Sequence, residues 1–451
     1  MTLRTALLAS AILATMLAPP PIRAAVTAQE AQQLKGPLTP VGAERAGSGA
    51  IPAWTGGDTT APPGLGPTSP LPDMFANDRL VLSINASNAD SYASKLPAGA
   101  LFMLKNYRGF RIDVYPTHRT AGMPQSFYNN TFANATRATL TSDQVSGAYG
   151  GVPFPIPKTG EEAIWNNNLA WHGIAYQRHT ANFIVPPGDG PILSSRFEAN
   201  EQWPYFYPGG SPTSYHAIYY MARSRYAGPP NRVGEELLAW NTDNEDTAAY
   251  EVWQYLTGQR RLRKAPNVAY DGSYPDCSGL VTVDEILVFN GRTDRYNMTL
   301  LGKREMYVPY NDNKMYLANS GTLYKPYYLA PDKVRWELHR VWAVELDLKP
   351  GKRHVISKRV VYLDEDTWQA LYADEYDDQG RLYKFNTSYP LVDPMIPGVI
   401  ADTNVIYDLQ SGAYCSLNGG LYGDGDNPYI PVSQRPSSFF QPDSVAAEAA
   451  R

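Results

Sequence analysis

The stretch from Val334 to Trp368, VRWELHRVWAVELDLKPGKRHVISKRVVYLDEDTW, constrains the fold more than any other. Trp336, Leu338, Trp342, Val344, Leu346 and Leu348 fall on one face, and Arg335, Glu337, His339, Glu345 and Asp347 on the other. A period of two marks a β-strand with one dry and one wet face. Arg340 is the single charge on the dry side. Lys349-Pro350-Gly351-Lys352 reads as a turn, and a second strand follows from Arg353 to Leu363. With that turn setting the register, Ile356, Val360 and Tyr362 continue the dry face. A one-residue slip would bring in Val355, Val361 and Leu363 instead.

The rest of the chain repeats this habit. Strand patterns cover Ser214–Tyr226, Ala248–Leu256 and Gly302–Tyr310, and hairpins turn at Asp378-Gln379-Gly380 and Gln410-Ser411-Gly412. The 38 prolines and 36 glycines favour turns over long helices. The 32 tyrosines and nine tryptophans suit strands that meet both water and an apolar interior. Helical signals are confined to a capping box at Thr27–Glu30, to Asn88–Tyr107 with a restart at Pro97, and to Gly160–Trp171. The Pro/Gly-rich stretch Pro37–Asp73 carries Ile51 and Trp54, which favour an arm lying over the body. The pattern predicts an α+β fold, a large antiparallel sheet with helices set apart from it.

The N-terminus predicts export. Arg4 precedes an apolar run, Leu7–Leu17, too short for the roughly 20 residues of a transmembrane helix. Pro19-Pro20-Pro21 breaks it, and cleavage is expected after Ala24. No transmembrane segment is expected after cleavage. A net charge of −5 argues against nucleic-acid binding, which needs a basic footprint.

Catalytic motifs are missing: no Gly-x-Ser-x-Gly, His-Glu-x-x-His, phosphate loop or dinucleotide fingerprint occurs. His339 and His354 read as surface histidines on a wet sheet face, with no third metal ligand at a recognisable spacing. Asp424-Gly425-Asp426-Asn427 reads as a turn, because an EF-hand loop would need glycine and glutamate where Tyr429 and Arg435 stand. Asp364-Glu365-Asp366 and Asp374-Glu375 read as solvated carboxylates rather than an acid/base pair. Gln259–Lys264, with four basic residues, reads as an exposed strand end. No catalytic residue, metal or cofactor is assigned.

Several long blocks carry a family resemblance: LTPVGAERAG with IPAWTGG, SGAYGGVPFPIPKTGEEAIWN, YLTGQRRLRKAPNVAYD, RWELHRVWAVELDLKPGKRHVISKRVVYLDEDTWQALYADEYDDQGRLYKF, and VIYDLQSGAY. Together they resemble the DUF1329 family of exported bacterial proteins, from about Val26 to Tyr414. That family is similar to the outer-membrane lipoprotein carrier and receptor (LolA/LolB-like) proteins. The resemblance implies a strongly curved half-barrel closed by helices over an apolar interior. With the residue patterns this divides the chain into a signal peptide at 1–24, a helix and Pro/Gly-rich arm at 25–95, the half-barrel domain that the resemblance implies at 96–431, and a Ser/Pro/Ala-rich tail at 432–451 expected to be flexible. The cysteine pair does not look like a family feature, so Cys277 and Cys415 are expected as free thiols.

The expectation is a carrier or chaperone for lipid-like or other hydrophobic molecules in the periplasm of a Gram-negative bacterium, acting with an envelope transporter or outer-membrane protein. Trp336, Leu338, Trp342, Val344, Ile356, Val360 and Tyr362 are expected to line its cavity. A ligand-free adaptor of an export pump and a hydrolase of hydrophobic compounds are the other readings.

Overall fold

The computed structural model describes residues 26–214, 216–243, 250–265, 270–291 and 293–449. The predicted leader lies outside the described residues. No helix among them is long and apolar enough to cross a membrane.

In chain order the first strands are β1 (Leu82–Ile84), β2 (Ile112–Val114), β3 (Thr139–Thr141), β4 (Gln144–Ser146), β5 (Ala175–Val185), β6 (Ile192–Gln202), β7 (Ile218–Gly228), β8 (Glu236–Thr242), β9 (Tyr250–Leu256) and β10 (Arg261–Lys264). Then follow β11 (Tyr296–Pro309), β12 (Tyr324–Lys325), β13 (Tyr328–Leu329), β14 (Trp336–Leu348), β15 (Lys358–Asp364), β16 (Ala370–Tyr376) and β17 (Leu382–Ser388). The last are β18 (Leu391–Asp393), β19 (Gly398–Ile400), β20 (Asn404–Asp408), β21 (Tyr414–Leu417) and β22 (Asn427–Pro431). The α-helices are α1 (Ala28–Ala31), α2 (Ala98–Asn106), α3 (Gln125–Arg137), α4 (Gly160–Asn168), the single turns α5 (Asn313–Tyr316) and α6 (Ser320–Leu323), and α7 (Pro442–Ala449).

Sixteen strands form one sheet in the order β1-β2-β14-β15-β16-β17-β20-β21-β5-β6-β7-β8-β9-β10, with β11 beside β14 and β22 beside β5. The α+β expectation holds, with two refinements. The sheet is mixed, because β14 meets β2 in parallel at Trp336 and Val114. It is also open, ending at β1 and β10.

The helix starts are held by side chains. Thr27 and Glu30 form the capping box of α1, and the Thr159 hydroxyl accepts the Glu162 N–H at 3.2 Å at the start of α4. Pro97 restarts the chain into α2, whose first two N–H groups, of Ala98 and Gly99, donate to the Asp374 carboxylate at 2.8 and 2.7 Å. A Cβ at Gly99 would sit 2.4 Å from Phe385, so only glycine lets α2 lie this close to the sheet. The arm packs on the body through Trp54, whose indole N–H donates to the Ala121 carbonyl at 2.9 Å.

Several expectations are corrected here. The wet face of β14 is not wet in its first half: Arg335, Glu337 and His339 are buried. Glu337 accepts from the His118 N–H (2.8 Å) and from Asn311 (2.8 Å), so covering loops replace the water that the alternation implied. The tail does not fray as a whole. Phe440 and Val445 are fully buried on Met221, Leu238 and Tyr255, behind β7–β9.

Candidate binding cavity

The seven residues expected to line a cavity are buried or half-buried in the body of the fold. Trp336 closes a crevice with Met103, Val334, Phe385, Tyr389 and Tyr407. Leu338 is buried opposite Tyr307. Trp342 is half-buried and stacks on Trp368, ring centres 5.8 Å apart, while the Trp368 N–H reaches the Val41 carbonyl in the arm at 2.8 Å. Val344 is fully buried opposite Val361.

The register of β15 is the slipped one. Val360 pairs with Glu345 and Tyr362 with Ala343, so both lie on the opposite face from Val344. Val361 and Leu363 continue the face of Trp342 and Val344, whereas Val355 is 51% exposed. The strand starts at Lys358 rather than Arg353. Ile356 precedes it, buried, its carbonyl accepting from the Tyr296 hydroxyl at 3.0 Å.

The face of Val344 nevertheless leads to a cavity. Facing pairs run Val344–Val361–Ala373–Asn386–Ile406–Cys415–Ile184 across the sheet. Ile184 stands on β5, and residues two apart on a strand share a face. Thus Arg178 and Tyr176 continue the row into the second half of the sheet. There Glu201, Ala222, Ala239 and Val252 pair in succession on that face, with Phe197, Tyr226, Ser224, Leu237 and Gln254 beside them. Above these side chains lies a cavity of about 370 Å³, within the ordinary range for a small-molecule site. None of the seven expected residues lines it.

Its roof is a strap, residues 270–291, that contributes Tyr274, Pro275, Val283, Ile286, Leu287 and Asn290. The strap is fastened over the first half of the sheet. Cys277 and Cys415 form a disulfide, which corrects the expectation of free thiols. Both sulfurs sit in a dry cluster with Val281, Ile406 and Leu417. Sequence could not place them together, because β21 and the strap meet only through the sheet order. Beside the disulfide, Asp284 takes a two-pronged contact from Arg359 (2.8 and 3.0 Å) and the His354 ring at 3.0 Å. Glu285 accepts from Lys384 at 2.8 and 3.0 Å, and its carbonyl accepts from Asn386 and Asn404.

This cluster overturns the surface reading of several groups. His354, Asp284, Glu285, Arg359, Glu375 and Lys384 all have buried side chains. Burial and the neighbouring Glu285 carboxylate push Glu375 well above the usual carboxylate range, so it is held as the acid. Burial opposes the ionised form of Asp284, but Arg359 and His354 outweigh it and hold its carboxyl below that range.

His339 and the Asp364–Asp366 turn are buried elsewhere, with ligand-type atoms of His339, Asp364 and Asp366 within 4.8 Å of one another. Each already has partners: Glu337 on His339 (3.0 Å), the Tyr310 and Thr367 hydroxyls on Asp364, and Arg119 on Asp366 (2.6 and 2.8 Å). Burial and Asp366 push Asp364 up to about 6. The cluster is an internal polar knot, and none of its three residues lines the cavity. Gly425 sits at φ 82° in the turn expected at Asp424–Asn427, and Arg261, Arg263 and Lys264 are exposed on edge strand β10, as expected.

Both ends of the cavity are polar. At one, Glu201 accepts from Arg178 Nε at 2.6 Å and from the Tyr176 and Tyr220 hydroxyls, both at 2.8 Å. Asp402 meets the Tyr176 hydroxyl at 3.0 Å and His172 Nδ1 at 2.9 Å, and His172 stacks on Trp203. Burial pushes Tyr176 and Tyr220 well above the ordinary phenol range, so both hydroxyls keep their protons. At the other end, Arg232 pairs with Asp276 and Glu235, and the Tyr226 hydroxyl donates to Asp276 at 3.0 Å. Sequence reading missed these residues. The available signal was the small side chains alternating in strands, Ala222 and Ser224, then Ala239, where a filled interior would carry large ones.

The family described as "Protein of unknown function (DUF1329)" matches residues 83–446. The chain belongs to this family. An uncharacterized protein of Pseudomonas aeruginosa is 35% identical over 462 residues, spanning 100% of this chain and 98% of that protein. Among solved structures, a DUF1329 family protein from Desulfovibrio piger is similar over 61% of this chain and 92% of its own, with TM-score 0.41 and 13% identity. A LolA superfamily protein from Nitrosomonas europaea covers 63% of this chain and 99% of its own, with TM-score 0.35 and 11% identity. The DUF1329 match spans the cavity floor, the strap and the fastening cluster alike.

Proposed function

We propose that this DUF1329 protein is a periplasmic carrier or chaperone for a hydrophobic small molecule, which it passes to or from an envelope transport system. In this reading the sheet acts as the half-barrel of a carrier, and the strap closes it. The observation that supports it is the cavity of about 370 Å³, floored by Phe197, Ala222, Leu237, Ala239 and Val252 and roofed by Val283, Ile286 and Leu287. Each methylene buried there contributes roughly 0.8 kcal/mol, so an apolar chain gains useful affinity without a charged anchor.

A carrier fits the polar groups better than a hydrolase does. Glu201 and Asp402 are occupied by Arg178, Tyr176, Tyr220 and His172. Native mass spectrometry of protein drawn from its own periplasm tests the proposal. The expected spectrum carries a hydrophobic adduct on a chain beginning at Ala25. A bare chain that also fails to brighten a neutral hydrophobic dye would leave the ligand-free adaptor as the better reading.

A further inference from the structure

We propose that the cavity selects an amphiphile whose polar end is uncharged or cationic, an alcohol or an amine, and rejects fatty-acid anions. The inference rests on the carrier reading and concerns the ligand's chemical class.

It follows from how the cavity's charges are paired. Arg178 is the buried cation of one end, and two carboxylates meet it: Glu201 at 2.6 Å from Nε, and Asp402 at 3.5 Å. With His172 neutral this end is net negative, and with His172 protonated it is neutral. In neither state does it carry a spare positive charge. The other end repeats the arrangement, with Arg232 held by Asp276 and by Glu235 at 3.1 Å. Among the described residues, the lining therefore holds no guanidinium or ammonium left unmatched by a carboxylate. A carboxylate head brought into either end would be desolvated beside like charges, a costly combination. A hydroxyl or ammonium could instead donate to the anionic oxygens already gathered there, whose lone pairs accept more than one donor. Like-charge exclusion of this kind sets specificity by penalising the wrong ligand.

The spare cations lie outside. Arg263 stands opposite the lining residue Gln254 on β10, exposed, with Arg260 and Arg261 beside it. A carboxylate head could pair with them outside the cavity, and the test must separate that case.

The test uses the full mature protein stripped of lipid, with a neutral naphthylamine dye in the cavity. Decanol, decylamine and decanoate share one chain and compete for it at mildly alkaline pH. Decanol and decylamine should displace the dye at concentrations about tenfold or more below that for decanoate. Asp402→Asn and, independently, Glu201→Gln should narrow the gap by strengthening decanoate. Circular dichroism would confirm that each variant is folded. Arg261→Ala/Arg263→Ala should leave all three ligands unchanged. Decanoate competing as well as decanol would overturn the inference and leave the carrier reading standing. The same would follow if decanoate bound well and lost its binding in the arginine double variant. Failure of the dye and all three ligands to bind would overturn both.

Discussion

One face of one sheet does two opposite things. Across β14–β17 and β20–β21 it is filled: Leu346, Arg359, Glu375 and Lys384 stand in a row and meet the strap through Asp284 and Glu285. Across β5–β9 the same face carries Glu201, Ala222, Ala239 and Val252 in the matching row, and the strap stays clear of it. The backbones are alike, and side-chain length makes the difference. Long side chains that end in charge reach the strap and fasten it. Alanines do not reach, and the space they leave is the cavity. The fastened half thus holds the roof at a height that the open half alone could not maintain.

The comparison breaks most sharply at Arg359. Arg359→Ala leaves the buried Asp284 carboxylate with only His354 and the Thr282 hydroxyl and should cost about 3–5 kcal/mol in urea unfolding. Removing the disulfide with Cys277→Ala/Cys415→Ala opens a loop of sequence separation 138 and should cost about 4 kcal/mol. It should also speed the release of a cavity dye, because the strap loses its covalent tie; unchanged release would mean that the ionic fastening suffices. Trp342→Ala, in the filled half, should cost about 3 kcal/mol, the lower part of the range for an aromatic truncation, since its ring is only half-buried. Dye affinity should not move, and a tenfold loss there would place the ring in the site after all. Ala239→Phe asks the converse question. It should cost only about 1–2 kcal/mol, since there is space for the ring, while dye binding is abolished.

The smallest effect is a slope in pH. Burial pushes Asp393, in the β18–β19 hairpin, up to about 6. Between the ordinary carboxylate value of about 4 and that value, the unfolded chain ionises first. Stability should therefore fall as pH rises through this window. Asp393→Asn should flatten the fall in Tm between these limits, and an unaltered slope would assign it to other carboxyls.

The hairpins, the cap of α1, the helical stretch of α4 and the Pro97 restart were legible because each depends on neighbours in sequence. The register of β15 was not. Val360 and Tyr362 are as apolar as Val361 and Leu363, so alternation alone cannot choose a phase. The loop that carries Ile356 then made the turn longer than Lys349–Lys352 suggested. Charge misled for a related reason. Asp364 and Glu375 have the composition of a solvated face, and the groups that stand beside them once buried, the Tyr310 hydroxyl and the Arg359 guanidinium, are distant in sequence. The cavity was sought where apolar residues are largest. Large apolar side chains fill space, and the site lies where alternating positions are small.

The sheet's open end has a consequence for life in a crowded compartment. Among the described residues β10 pairs only with β9, and a sheet edge of this kind is a ready template for another chain's strand. Arg261, Arg263 and Lys264 stand exposed along it, with Arg260 in the left-handed turn that leads in. A second copy arriving edge to edge would bring the same basic row against itself. Like charges directly opposite one another weaken strand pairing. The densest basic run of the chain therefore lies where like-charge repulsion opposes the addition of a seventeenth strand to this sixteen-stranded sheet.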